Sequence, residues 1–192
     1  MKKLLLGLAI ALSSMSFAQE KAKEASLPVR FGVKAGLNVS SINSDDAKAK
    51  AGLYGGFFAN IPVASSFSVQ PELLYNGMGA KNEDYSDVKL NLDYISVPVM
   101  VQYNILPEFY VEAGPQFSFA INRKIKGPGG TADVKDFYKG FDFGLGLGAG
   151  YYIAQGFGVT ARFVAGVTDI IENNNDDAIR NSVFQIGVAY KF

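Results

Sequence analysis

The sequence predicts an all-β chain closed into an eight-stranded antiparallel up-and-down transmembrane β-barrel. Three observations predict it. Eight stretches alternate apolar residues with polar or small ones at a period of two, the pattern of a strand with two unlike faces. The connections between them alternate short and long. An export signal opens the chain, and no later apolar stretch reaches the roughly 20 residues a spanning helix needs. An exported chain that resides in a membrane without helices does so as a closed barrel, because only closure leaves no strand edge unpaired in lipid.

Met1-Lys2-Lys3 precedes an apolar run from Leu4 to Leu12, followed by small residues at Ser16 and Ala18. This is the layout of a secretory signal peptide over residues 1–18, cleaved between Ala18 and Gln19. Residues 19–28 read as a periplasmic N-terminal segment and residues 29–192 as the barrel domain. With no cysteine in the chain, disulfides, thiolate chemistry and a lipoprotein anchor are excluded. Eighteen basic and eighteen acidic residues cancel, so there is no broad basic footprint for nucleic acid.

The first strand is expected over Val29–Val39, with Phe31, Val33, Ala35, Leu37 and Val39 opposing Arg30, Gly32, Lys34, Gly36 and Asn38. Leu53–Ile61 follows, apolar on both faces and ambiguous in register. Phe67–Gly77 sets Val69, Leu73 and Tyr75 against Ser68, Gln70, Glu72 and Asn76. Leu92–Tyr103 sets Ile95, Val97 and Val99 against Ser96, Met100 and Gln102. Phe109–Ile121 sets Val111, Phe117 and Phe119 against Glu112, Gln116 and Ser118. Gly140–Tyr152 alternates most strictly, with Phe141, Phe143, Leu145 and Leu147 against Asp142, Gly144, Gly146 and Gly148. Phe157–Val167 opposes Val159 and Phe163 to Thr160 and Arg162, and Phe184–Phe192 ends the chain as the eighth strand.

Pro62–Ser66, Asn104–Glu108 and Ile153–Gly156 are short connections, whereas Ser40–Gly52, Gly79–Asn91, Asn122–Lys139 and Thr168–Asn181 are long and polar. Outer-membrane barrels have short periplasmic turns and long extracellular loops, so both termini are expected on the periplasmic side. Phe31, Phe67, Tyr103, Phe109, Tyr151, Phe157 and Phe192 fall at the short-turn ends, where an interfacial girdle of aromatics belongs; Tyr75, Phe119 and Phe141 fall near the long-loop ends.

The polar face is rich in glycine, which suits the crowded interior of an eight-stranded barrel better than a water-facing coat. Arg30, Lys34, Glu72, Glu112, Asp142, Arg162 and Lys191 share that face and are expected to form a lumen charge network, with the glycines making room for the arginines. Charges inside and Phe, Val and Leu outside make lipid the outer solvent.

Catalytic chemistry finds little footing. The absence of histidine removes Ser-His and Cys-His activation and the usual zinc ligands. Glu72, Glu112 and Asp142 read as structural ion-pair partners rather than acid/base catalysts. Gly144-Leu-Gly-Leu-Gly-Ala149 matches a dinucleotide-binding glycine pattern only superficially, since that motif lies between a strand and a helix and here the alternation continues to Tyr151. Asn173–Asp177 offers oxygen ligands without the spacing of a calcium loop. No catalytic, cofactor-binding or metal-ligating residue is assigned.

The last eight residues, Gln185 to Phe192, resemble the C-terminal signal of bacterial outer-membrane barrels, which the assembly machinery reads as a glycine followed by two spaced aromatics; Gly187, Tyr190 and Phe192 match it. Together with Phe31–Asn38, Phe67–Tyr75 and Tyr94–Val99, these residues make the chain resemble the PorT-like outer-membrane β-barrel family of Bacteroidetes, often labelled porin family proteins. The resemblance implies an integral outer-membrane barrel built like the OmpA and OmpX barrels. It also implies outer-membrane lipid and the barrel-assembly machinery as partners, with no cofactor. The name-bearing member acts with a protein-secretion and gliding apparatus, but no motif here ties the chain to that role. Three functions remain open: a filled, non-enzymatic barrel for envelope integrity or for surface interactions through four extracellular loops; a narrow porin for ions or small solutes; and an accessory that contacts an extracellular or secretion-system protein.

Overall fold

The computed structural model describes residues 28–43, 47–82, 88–171 and 178–192. The expected signal peptide with its Ala18–Gln19 cleavage site, most of the periplasmic segment, and the loop residues Asp45, Asp46, Asp84, Asp87, Asp176 and Asp177 lie outside these residues, as does the Asn173–Asp177 run.

The described chain is built of strands: β1 Arg30–Ile42, β2 Ala47–Pro62, β3 Phe67–Asn82, β4 Lys89–Asn104, β5 Phe109–Gly127, β6 Gly130–Asp133, β7 Phe141–Tyr152, β8 Phe157–Gly166 and β9 Asn181–Lys191. Neighbours run antiparallel in the order β4-β3-β2-β1-β9-β8-β7-β5, and β4 also pairs β5, so eight strands close into a barrel. β6 is a short arm folded back on the end of β5, with Lys124↔Asp133 and Gly127↔Gly130 in register. The first and last strands form the closing seam, paired from Gly32↔Lys191 to Ile42↔Asn181, and Phe192 N–H donates to the Phe31 carbonyl.

The three short turns share one geometry. The N–H groups of Val63, Ile105 and Ile153 each donate to the carbonyl four residues on, at Phe67, Phe109 and Phe157. At the other end the strands run further than the alternation predicts, β3 to Asn82 and β5 to Gly127. The reason lies in which face is apolar. Along β4, Leu90, Leu92 and Tyr94 point inward and are buried, whereas further down Ile95, Val97 and Val99 point outward and Ser96, Pro98, Met100 and Gln102 point in. Beyond the lipid the outer face becomes polar and the inner face apolar, so the pattern inverts in phase although the strand continues.

The ambiguous strand resolves with Tyr54, Phe58 and Asn60 inside, and with Leu53 and Phe57 outside at 65% and 67% exposure. The outer wall is a continuous apolar surface that includes Leu37, Leu73, Leu145, Leu147, Phe163 and Ile186. Aromatic side chains pair along its rims. Phe67 meets Tyr103 with ring centroids 4.8 Å apart at the short-turn end, and Phe119 meets Phe141 at 5.5 Å toward the long loops. Tilted pairs of this kind add to simple area burial.

Candidate functional site

The interior of the barrel is filled by stacked layers of side chains. Its central layer is ionic. Lys34 of β1 donates to Glu72 Oε1 of β3 at 2.8 Å. Arg162 of β8 forks onto Glu72, with Nη1 to Oε2 and Nη2 to Oε1 both at 2.8 Å. The same guanidinium reaches Glu112 of β5, with Nε donating to Oε1 at 2.7 Å and Nη2 at 2.6 Å from the same oxygen. Two cations and two anions thus cancel across four strands that do not adjoin one another, and the network straps the lumen from wall to wall. All four residues are buried. The remaining acceptor capacity is taken up by Gln70, which donates to Glu72 Oε1 at 2.8 Å, and Gln102, which donates to Glu112 Oε2 at 2.9 Å. A bidentate guanidinium–carboxylate contact is both strong and geometrically selective.

Toward the short turns lies an amide layer in which Asn60 donates to Ser68 and to Gln102, each at 2.9 Å. Toward the long loops, Gln185 donates to Asn76 at 2.8 Å and to Asn38 at 3.0 Å. Beyond these amides the lumen turns apolar. Met78, Leu90, Leu92, Tyr94, Val134, Val164, Ile170 and Val183 form one buried cluster. Val134 and Ile170 enter it from the long connections after β5 and β8, so loop residues stopper the barrel at that end. Outside the strands, the exposed Asp133 accepts from Lys135, which holds its carboxyl below the usual range.

Of the seven residues expected in the charge network, Lys34, Glu72, Glu112 and Arg162 converge, but Arg30, Asp142 and Lys191 do not. Arg30 is exposed at the short-turn rim. Lys191, one residue from the end of the chain, sits over the Tyr152 ring at 4.1 Å instead of meeting a carboxylate. Asp142 is buried too near the long-loop end to reach the central layer, and it accepts from the Thr168 hydroxyl at 2.8 Å.

The glycines also serve a different tenant than expected. A Cβ on Gly32 would lie 2.2 Å from the Phe58 ring, on Gly36 2.7 Å from the Tyr54 ring, on Gly187 2.6 Å from the Tyr54 hydroxyl, and on Gly150 2.4 Å from Tyr110. The closest side-chain approaches to missing Cβ positions are therefore from inward-pointing aromatics. Gly146 and Gly148 border the Arg162–Glu112 pair, with Glu112 Oε1 3.0 Å from the Gly148 position.

Among the terminal residues, Gly187 lies in the seam opposite Gly36. Tyr190 and Phe192 face outward at the short-turn rim, with rings 5.5 Å apart edge to face. We expect deletion of Phe192 to cost the refolded barrel about 1 kcal/mol, the worth of one aromatic pair and one hydrogen bond. In cells the amount delivered to the membrane should fall far more; equal losses in refolded stability and in delivery would remove any role in assembly.

Sequence reading did not reveal the apolar stopper. Its signal was present in the isolated apolar residues Val134, Ile170, Ile171 and Ile179 within otherwise polar connections.

Comparison with known proteins fits this geometry. A family model described as outer membrane protein beta-barrel domain matches residues 17–172. Among solved structures, the attachment invasion locus protein Ail of Yersinia pestis is similar at a TM-score of 0.54 and 14% identity, covering 86% of this chain and 100% of that one. Neisserial surface protein A is similar at a TM-score of 0.58 and 15% identity, with the same coverage of 86% and 100%. A comparison with curated protein sequences returns no match.

Proposed function

Since the chain belongs to the outer-membrane β-barrel domain family, we propose that it acts as a sealed, non-enzymatic barrel whose work is done at its long-loop end, in envelope integrity or surface contacts. The observation that carries this reading is the strap of Lys34, Glu72, Arg162 and Glu112 across the lumen, roofed by the apolar cluster around Leu92 and Ile170. A narrow porin needs a continuous wet path, whereas here every oxygen of both carboxylates accepts a donor and the roof is apolar. In planar bilayers the purified protein should give no steady conductance steps; regular single-channel steps would establish the porin reading instead. The same engagement leaves neither Glu72 nor Glu112 free for acid/base work.

The termini belong on the periplasmic side in this reading, with Gly187, Tyr190 and Phe192 presented to the barrel-assembly machinery. At the opposite rim Lys48, Lys81, Lys89 and Lys126 stand opposite one another across β2, β3, β4 and β5. Like charges placed in register destabilise a sheet on their own. Well past Tyr75 and Phe119, above the aromatic rim, they would face anionic groups of the outer leaflet, where each lysine near an anionic surface is worth about 1 kcal/mol. This row supports lipid as the constant partner of the rim. A PorT-like tie to a secretion apparatus is a further reading, which crosslinking in cells would test by capture of an envelope partner.

A further inference from the structure

Asp142, left outside the central network, borders a cavity in the long-loop half of the lumen together with Gln116, Ser118 and Asn181. The cavity has space for one water-sized atom, about 10 Å³. Two oxygens at this site, Gln116 Oε1 and Asn181 Oδ1, have no hydrogen-bond partner among the described residues, although their residues are only 3% and 4% exposed. Leaving a buried acceptor unsatisfied is costly, so the pair calls for an occupant.

The orientation of the Asn181 amide follows from what its nitrogen does. Asn181 Nδ2 donates to Met78 Sδ at 3.2 Å on the side of the amide near Asp142, so turning the amide over would set its oxygen against the sulfur and toward a carboxylate. Gln116 Nε2 donates to Ser118 Oγ at 3.4 Å. The cavity is thus bordered by two acceptor-only amide oxygens and one carboxylate. That carboxylate has no lysine or arginine at ion-pair distance among the described residues.

We propose that this cavity is a binding site for one small monovalent cation of sodium size, held by Gln116 Oε1, Asn181 Oδ1 and the Asp142 carboxylate. A water molecule has two protons to give and leaves the buried charge of Asp142 uncompensated, whereas a cation is met by every acceptor and cancels that charge. Hard cations take oxygen ligands of this kind. The charge count selects a monovalent ion, because a divalent one would leave a net positive charge beneath the apolar Met78, Val164 and Val183. The ion would tie β5, β7 and β9 together beneath the stopper, where the central network does not reach.

The test is urea unfolding of the refolded full chain in sodium, potassium or choline chloride at equal ionic strength. Sodium should raise the midpoint over choline, with the shift growing with sodium concentration as ligand linkage requires. Asp142→Asn, which keeps the shape and loses the charge, should abolish the dependence. Sodium NMR relaxation of the wild-type protein needs no variant, and it should show bound sodium that lithium displaces. Equal midpoints in sodium and choline, or no bound sodium in the relaxation measurement, would overturn the proposal and leave the cavity to a water.

Discussion

Arg162→Met should lower the unfolding free energy by about 3–5 kcal/mol, the cost of breaking a buried ion pair by removing one partner. Burial makes the loss large, and the two carboxylates would feel it unequally. Glu72 would keep Lys34 and Gln70, whereas Glu112 would keep only Gln102 and stand as an unbalanced buried charge. Adding Glu112→Gln to Arg162→Met should therefore recover part of the loss, because it restores neutrality with the Lys34–Glu72 pair intact. Urea unfolding of the single and double variants in detergent micelles or vesicles measures both. A single variant as stable as the wild type, or a double variant weaker than the single, would show that Arg162 does not hold the network together.

The closing seam should be equally intolerant, for a steric reason. A Cβ on Gly36 would lie 2.2 Å from the Ile186 carbonyl oxygen and 2.6 Å from Gly187 Cα, with the Tyr54 ring 2.7 Å away on the lumen side. Two of these contacts are backbone of the partner strand, so no rotamer change relieves them and β1 must part from β9. Gly36→Val should abolish the folded species whose gel mobility shifts on boiling. Trimming Tyr54 to alanine should not rescue it, since the backbone contacts remain. Gly55 is the control: its nearest neighbour to a Cβ is the Lys34 carbonyl oxygen at 3.5 Å, an ordinary contact. Gly55→Ala should change stability by no more than about 0.5 kcal/mol, the range of uncomplicated surface substitutions. A heat-shifting band in Gly36→Val as strong as in the wild type would mean the seam can open to accept a side chain.

Much of this architecture is legible in the sequence because lipid imposes a strict rule on one face. Leu145, Leu147, Phe163 and Ile186 must be apolar, their neighbours need not be, and a period of two follows. The same rule stops applying beyond the hydrocarbon. There Leu90, Leu92 and Met78 turn inward to the stopper while Lys89, Asn91 and Asp93 face out, so the strands continue past the point where the outward apolar pattern stops. The face of β2 stayed ambiguous because Tyr54 and Phe58 are apolar residues inside a polar lumen, and only the glycines opposite them give the reason. Within the candidate site, shared face was readable and height was not. Arg30, Asp142 and Lys191 lie on the lumen face with Glu72 and Arg162, yet stand at other levels of the barrel, and level depends on register between strands distant in sequence.

Lipid meets the apolar face while a packed polar layer fills the inside. The chain lacks cysteine, so single cysteines can be introduced and spin-labelled one at a time in the vesicle-inserted protein. Along β7 and β8, labels at Leu145, Leu147 and Phe163 should be reached by oxygen dissolved in the bilayer and not by a water-soluble nickel reagent. Labels at Gly146 and Thr160 should be reached by neither, or should prevent folding. Nickel-accessible labels at Thr160 would contradict a filled lumen, and nickel-accessible labels at Leu145 and Leu147 would contradict the membrane-spanning barrel itself.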